Sequence, residues 1–228
     1  MSLPEPFYTD DRVTIYHADC RDVLPLVEAD VMVTDPPYGY GYTAHATRNG
    51  KRRHGFDASW VNERIAGDDD TSARDDALLH WSPRPALVFG TYRRPAPAGT
   101  RMALVWDKGD SAGRGDLSIP WKPNWELVYV LGQGFAGPRT SGVLRYWVAS
   151  KQSMGRVHPT EKPVDLMRDL IAKCPPGVIV DPFAGSGSTL RAAKDLGRRA
   201  IGIEVDERYC RVAADRMRQE VLDFGTVA

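Results

Sequence analysis

The sequence predicts an α/β fold in which helices cover both faces of a mostly parallel sheet of seven strands. Short runs of apolar and β-branched residues recur along the chain, and helical patterns lie between several of them. This alternation is typical of parallel sheets. The length of 228 residues suits one α/β domain, and neither a linker nor a second core interrupts the pattern. We therefore expect a single domain over residues 1–228.

Seven runs predict the strands, because each is short and consists mainly of residues that suit a buried strand. They span residues 12–16, 31–34, 86–90, 102–106, 126–131, 178–180 and 200–205. A stretch rich in Gly, Pro and Trp separates the fourth run from the fifth, and it carries no helical pattern. These two runs favour an antiparallel pair with a long insertion between them.

Five segments predict helices between or after these strands. They span residues 22–28, 71–81, 163–172, 188–196 and 206–222, of which the first is short and ambiguous. Ser72 and Asp75 are candidate capping residues at the start of the second segment. Pro163 suits the first turn of the third segment, whose later apolar residues share one helical face.

Composition excludes several classes of protein. No apolar run approaches the roughly 20 residues of a membrane span, and the first residues lack the pattern of a secretory signal. Three widely spaced cysteines form neither a metal-ligand pair nor a disulfide framework, so we expect a reducing cytoplasm and no metal. Thirty basic and 30 acidic residues give a net charge of zero, which argues mildly against an avid nucleic-acid binder.

The segment from Phe183 to Thr189 follows a strand and opens a helix, which favours a nucleotide-like ligand. Gly185 and Gly187 let the backbone turn tightly and approach a ligand, and the helix behind them offers free N–H groups. Glu204 ends the next strand roughly 20 residues later, a spacing at which an acid reaches a ribose hydroxyl pair. The alternatives are a plain turn at the glycines, and a Glu204 that caps the last helix or pairs with Arg208.

The segment Asp35-Pro36-Pro37-Tyr38 follows another buried strand and suits a flat, amine-bearing base. The Asp35 carboxylate and the Pro36 carbonyl are candidate acceptors for the N–H groups of such an amine. Pro36 and Pro37 restrict the backbone that carries these acceptors, and Tyr38 offers a flat face for stacking. A proline-rich turn without a function is the alternative.

Together the two segments resemble those of the β-arrangement DNA amino-methyltransferases, which use S-adenosylmethionine to methylate N6 of adenine or N4 of cytosine. The resemblance is strongest at residues 31–39 and 158–205. It implies a Rossmann-like methyltransferase sheet in circularly permuted order, with the catalytic segment before the cofactor segment. It also implies that residues 35–38 are catalytic.

The resemblance assigns the cofactor residues one by one. Asp181, Phe183, Gly185 and Gly187 would belong to the cofactor loop. Lys162, in the segment 158–163, would lie against the methionine part of S-adenosylmethionine. Asp19, after the first strand, would contact the adenine edge, and Glu204 would hold the ribose.

Contacts with DNA are expected from two regions. The stretch from Gly41 to Gly55 has no acid, and its basic side chains are candidates for binding phosphates, although a solvated loop is the alternative. These side chains are Arg48, Lys51, Arg52 and Arg53. A short target-recognition insertion is expected around residues 109–153, with candidate contacts from Arg114, Trp121, Lys122, Trp125, Arg139, Arg145 and Trp147. Its shortness leaves relaxed specificity, a homodimer or a single-stranded target open.

The expected activity is methylation of an exocyclic amine in DNA, with N6 of adenine as the leading target. In the family that this chain resembles, the first catalytic residue is more often Asp in adenine enzymes, while Ser is typical of N4-cytosine enzymes. A base inside a duplex must be extruded before it can react. The alternatives are an N4-cytosine enzyme, an RNA target, or a nucleic-acid-binding module with a vestigial cofactor pocket.

Overall fold

The computed structural model describes residues 2–41, 66–110, 118–147 and 161–219. In these ranges the strands are β1 (Tyr8–Thr9), β2 (Val13–His17), β3 (Val31–Thr34), β4 (Ala86–Gly90), β5 (Thr100–Asp107), β6 (Trp125–Leu131), β7 (Val143–Arg145), β8 (Ile179–Asp181) and β9 (Ala200–Glu204). The helices are α1 (Cys20–Val23), α2 (Ser72–Trp81), α3 (Val164–Ile171), α4 (Ser188–Asp195) and α5 (Glu207–Arg218). Within the described ranges, none of these helices has the length and apolar character needed to cross a membrane.

The strands form one mixed sheet in the order β1-β2-β9-β8-β3-β4-β6-β5-β7. Its centre, from β2 to β4, is parallel, whereas β6 runs antiparallel to both β4 and β5. The prediction of seven strands was too low, since β1 and β7 extend the two edges. They contain two and three residues, which is too short for a pattern of alternating burial to mark them. The antiparallel pair of β5 and β6 is confirmed. The circular permutation stays a prediction.

Helices cover both faces of the sheet, as expected. One face packs against α3, α4 and α5 through buried residues such as Leu166, Leu190 and Met217. The other packs against α1 and α2 through Val23 and Trp81. Burial on both sides explains why the central strands read as continuous apolar runs.

Two helix starts differ from the prediction. The ambiguous segment 22–28 is the short helix α1 followed by a 3₁₀ turn, Leu24–Leu26, which contains a proline in its first turn. At α2, the carboxylate of Asp70 accepts the N–H of Ser72 at 2.8 Å, while the expected cap, Asp75, accepts the Thr71 hydroxyl instead. An acid just before the helix satisfies a free N–H group better than one inside its first turn.

Candidate active site

The two segments singled out in the sequence lie side by side at one edge of the sheet. Strands β3 and β8 are parallel neighbours, so their carboxyl ends meet although they are far apart in the chain. The Thr34 hydroxyl, at the end of β3, donates to the Asp181 carboxylate at 2.7 Å, and both side chains are buried. Asp181 also accepts the N–H of Phe183 at 3.1 Å. Burial raises the pKa of Asp181 to about 6. Asp181 therefore joins the two tips and orders the turn that follows β8.

The glycine loop, residues 183–187, leads from β8 into α4. Gly185 and Gly187 have φ values of 50° and 80°, which side-chain-bearing residues rarely adopt. A Cβ at Gly187 would also lie 3.0 Å from the Cβ of Ala213 in α5. Because Gly187 is the residue directly before α4, the loop can approach a ligand with the unpaired N–H groups of that helix.

Glu204 is tied to the glycine loop. Its Oε2 accepts the N–H of Gly185 and its Oε1 accepts the N–H of Asp206, both at 2.8 Å. Burial raises the pKa of Glu204, and only 9% of the residue is exposed. Asp206, and not Glu204, caps α5 and pairs with Arg208, so both alternative roles belong to its neighbour. Each Glu204 oxygen keeps a lone pair for another donor.

Asp19 lies beside Glu204, at the end of β2. The N–H of Ala18 donates to the Glu204 carbonyl at 3.0 Å, which fixes this proximity. The Asp19 carboxylate accepts the Arg21 N–H at 2.9 Å and pairs with the Arg21 side chain at 2.6 Å, so Asp19 caps α1. The hydrogen bond from the Arg21 side chain is the main reason that the pKa of Asp19 is lowered. This cap orients the Asp19 side chain, and its contact with an adenine edge stays a prediction.

Asp35 lies at the centre of a buried polar cluster on the other tip. The Lys162 ammonium pairs with the Asp35 carboxylate and lies 3.2 Å from the Glu126 carboxylate. The Tyr38 hydroxyl is 2.9 Å from Asp35 Oδ1 and 3.0 Å from Glu126 Oε2. The structure places the Lys162 ammonium on the Asp35 carboxylate, and its expected place beside the methionine part of the cofactor stays a prediction.

Sequence reasoning missed Glu126 and Lys108 as members of this cluster. Glu126 lies in β6, and its carboxylate pairs with the Lys108 ammonium as well as with Lys162. The available signal was a single acid directly followed by the apolar run Leu127–Leu131. A charge in such a strand is costly to bury unless it is paired.

The charges in the cluster determine one another's protonation. Burial is the main reason that the pKa of Asp35 is raised; the Lys162 charge opposes the rise, and the Glu126 charge adds to it. Burial would also raise the pKa of Glu126, but the two lysine charges outweigh it and hold that pKa below its ordinary value. Burial would lower the pKa of Lys162, but Asp35 and Glu126 outweigh it and keep the ammonium charged.

The chain after Tyr38 is held in place by two further residues that the sequence did not indicate. Asp68 accepts the N–H of Gly39 at 2.7 Å, and the Arg94 guanidinium donates to the Gly39 carbonyl. Gly39 has a φ of 76°, and a Cβ there would lie 2.5 Å from the backbone of Asp70. Pro36 is buried and Pro37 partly so. The hydrogen bond of Thr34 before the segment and those of Gly39 after it hold both of its ends.

The structure describes only part of the expected DNA-binding regions. Arg48, Lys51, Arg52, Arg53 and Arg114 lie outside the described residues. In the middle of the chain Trp121 and Trp147 are exposed, whereas Trp125 packs against Tyr92 with a ring-centroid distance of 5.2 Å. A surface groove formed by residues near Asp30 and Val178 lies at the opposite edge of the sheet, away from Asp35.

Comparison with known proteins identifies the family. A family model described as DNA methylase matches residues 92–215, which is more than half of the chain. The chain belongs to the DNA methylase family. The type II methyltransferase M2.DpnII of Streptococcus pneumoniae is 46% identical to this methylase, over 96% of this chain and 94% of the relative. The resemblance to DNA amino-methyltransferases is therefore confirmed.

Solved structures of methyltransferases share the fold of this methylase. The crystal structure of the M1.HpyAVI–SAM complex aligns with a TM-score of 0.65 and 20% identity, over 91% of this chain and 100% of the other. The cytosine-N4-specific PvuII DNA methyltransferase aligns with a TM-score of 0.61 and 15% identity, over 95% and 90% of the two chains. The neighbours thus confirm an α/β methyltransferase fold and leave the target base undecided.

Proposed function

We propose that this methylase transfers a methyl group from S-adenosylmethionine to N6 of adenine in DNA. One observation carries the proposal: the Thr34–Asp181 hydrogen bond holds the glycine loop beside the segment that bears Asp35. A cofactor held by the loop would therefore present its methyl group close to a base held by residues 35–38. Such positioning can supply a large part of a rate enhancement.

The residues at the cofactor tip suit S-adenosylmethionine. Glu204 has lone pairs left for the ribose hydroxyls, and the N-terminus of α4 offers N–H groups beside Gly185 and Gly187. Phe183 adds a partly buried ring, and Asp19 lies next to Glu204, where an adenine edge would follow the ribose. The neighbour solved as a SAM complex supports the same cofactor.

The residues at the reacting tip suit an exocyclic amine. The lone pair of such an amine is delocalised into the ring, which makes it a poor nucleophile. By accepting its two N–H groups, the Asp35 carboxylate and the Pro36 carbonyl would favour a more tetrahedral nitrogen. The cofactor supplies a methyl group activated by a sulfonium. Transfer of this methyl group would form the N–C bond as the S–C bond breaks and would leave the sulfur as a neutral thioether, and the proton released by the nitrogen would pass to solvent.

The choice of adenine rests on Asp35 in the first catalytic position. Among enzymes that resemble this chain, Asp in this position is more typical of those that methylate adenine than of those that methylate cytosine. The N4-cytosine alternative is supported by the fold shared with the PvuII enzyme, which is cytosine-N4-specific. Both amines present two N–H groups to the same acceptors, so the contacts around Asp35 suit either one.

The test is to incubate the purified protein with labelled S-adenosylmethionine and mixed-sequence DNA, digest the DNA and identify the modified nucleoside. We expect N6-methyladenine from the wild type and roughly 10- to 100-fold less label from Asp35→Asn, which keeps an acceptor oxygen but loses its charge. N4-methylcytosine would establish the alternative base. Cofactor binding without any labelled nucleoside, on DNA or RNA, would instead indicate a binding module.

A further inference from the structure

Glu126 has contacts that the proposed reaction does not explain. Its carboxylate meets three donors, the Lys108 and Lys162 ammonium groups and the Tyr38 hydroxyl. Two of them, Lys162 and Tyr38, also contact Asp35. Strand β6 thus places a second carboxylate behind the catalytic one, and the pair shares a cation and a hydroxyl.

Stability does not account for this arrangement. The side chains of Lys108 and Glu126 are each 18% exposed and that of Lys162 is 7% exposed, so these charges are largely removed from water. The penalty of removing charges from water offsets much of the gain from pairing, and apolar residues of similar size often stabilise a core as well. A cluster of two cations and two anions beside a reacting group therefore indicates a role in the reaction.

The shared donors limit what Asp35 can do. A carboxylate that receives the full Lys162 ammonium and the Tyr38 hydroxyl has fewer lone pairs for a substrate amine. Glu126 competes for both donors, and Lys108 keeps Glu126 from taking Lys162 completely. The balance among these charges thus determines how strongly Asp35 is engaged before the substrate arrives.

We propose that Glu126 is a positioning residue for Asp35: it draws Lys162 and Tyr38 partly away and leaves the Asp35 carboxylate able to accept a substrate N–H. This rests on the proposed function. Among the residues that the structure describes, the charged and titratable groups around the pair are Lys108 just after β5, Lys162 before α3, Tyr38 in the loop after β3, and Asp181 at the end of β8.

The first test is Glu126→Gln, which keeps the size of the side chain and removes its charge. Lys162 should then pair with Asp35 alone, and a like charge is lost, so the Asp35 carboxyl should titrate at lower pH than in the wild type. The kcat for methylation should fall by roughly 10- to 100-fold, the range for losing one charged hydrogen-bond acceptor. The Kd for S-adenosylmethionine should not change.

The second test is Lys108→Gln, which should move the titration in the opposite direction. Without Lys108, Glu126 should draw Lys162 further from Asp35, and the Asp35 carboxyl should titrate at higher pH. Asp10→Asn is the matched control, because it removes one partner of the partly buried ion pair between Asp10 and Lys194. Asp10 precedes β2, so it lies at the amino ends of the parallel strands, whereas Asp35 lies at their carboxyl ends. It should leave the Asp35 titration unchanged.

The titration is read by NMR from carbon-13 at the aspartate carboxyls, with Asp35 assigned from the signal missing in Asp35→Asn. It needs neither DNA nor cofactor, so it remains informative even if the wild type methylates nothing. An Asp35 midpoint that stays fixed in both variants, or moves the same way in both, would overturn the proposal. If Glu126→Gln does not fold, the Lys108→Gln midpoint decides alone: a rise supports the proposal and no change overturns it.

Discussion

Replacing Glu204 with Gln should separate cofactor binding from stability. The wild-type carboxylate holds the N–H groups of Gly185 and Asp206, and its remaining lone pairs are the proposed acceptors for the ribose hydroxyls. Gln keeps one carbonyl oxygen, which can hold only part of this set, and it carries no charge. The substitution therefore removes at least one charge-assisted acceptor from the cofactor site.

The size of the effect follows from these contacts. A hydrogen bond to a charged group contributes about 1.5–3 kcal/mol, so the Kd for S-adenosylmethionine should rise by roughly 10- to 100-fold. Stability should not fall in parallel. Burial raises the pKa of Glu204 above its unfolded value, so the ionised carboxylate is unfavourable to folding at neutral pH. A neutral Gln removes that cost and offsets the lost backbone contact.

Isothermal titration calorimetry measures the Kd, and thermal unfolding without ligand measures stability. Glu207→Gln is the control, because Glu207 is an exposed acid three residues later that pairs with Arg211. It should change neither quantity. An unchanged Kd in Glu204→Gln would refute the ribose assignment, and a large fall in Tm would show that Glu204 mainly supports the loop.

Three further predictions concern the reacting tip, the junction of the two tips and the DNA-binding stretch. Asp35→Asn, which loses a charged acceptor, should lower kcat by roughly 10- to 100-fold with little change in cofactor affinity. Tyr38→Phe, which keeps the ring, should bind DNA more tightly than Tyr38→Ala by about 1–3 kcal/mol of stacking, and equal affinities would contradict stacking. Because the folded pKa of Asp181 is about 6 and the unfolded value is 3.8, its stabilising contribution is complete below pH 3.8 and is lost as pH rises through 6. Chemical denaturation should therefore show that the wild type loses roughly 3 kcal/mol relative to Asp181→Asn across that window, and parallel pH curves would refute this. The basic residues of the stretch 41–55 are Arg48, Lys51, Arg52 and Arg53. Replacing them with Gln should weaken DNA binding, keep cofactor binding and lower the slope of log affinity against log salt concentration by about 0.9 per lost phosphate contact. Unchanged affinity and slope would show that the stretch is a solvated loop.

The sequence predicts the sheet and both tips because their signals are local. A continuous apolar run ending in Asp35 or Asp181 marks the end of a buried strand, and the glycines of residues 185 and 187 mark the turn into a helix. All seven predicted strands are present, with ends shifted by two residues at most. Such patterns are local because the types of neighbouring residues in the chain indicate whether a strand is buried and where its backbone turns.

The partners of these residues could not be predicted, because pairing across a sheet is not local. Lys162 meets Asp35 only because β3 and β8 are neighbours, and Glu126 joins them because β6 lies antiparallel beside β4. The sequence showed that Lys162 stands in a family segment, but not that its ammonium lies between two carboxylates. Asp68 and Arg94 were missed for the same reason, because they form hydrogen bonds with the backbone of Gly39, which is distant from both in the sequence.

Three carboxyl groups at one edge of the sheet share an unusual condition. Asp35, Asp181 and Glu204 all have raised pKa values, and burial is the main cause for each. Folding therefore disfavours their ionised forms at neutral pH, and new hydrogen-bond donors would favour them. All three already accept hydrogen bonds within the protein: Asp181 from Thr34 and Phe183, Glu204 from Gly185 and Asp206, and Asp35 from Tyr38 and Lys162. Glu204 and Asp35 keep further lone pairs, which suit ribose hydroxyls and an amine. A ligand that supplies further donors to Glu204 and Asp35 should therefore stabilise the fold more at neutral pH than in acid.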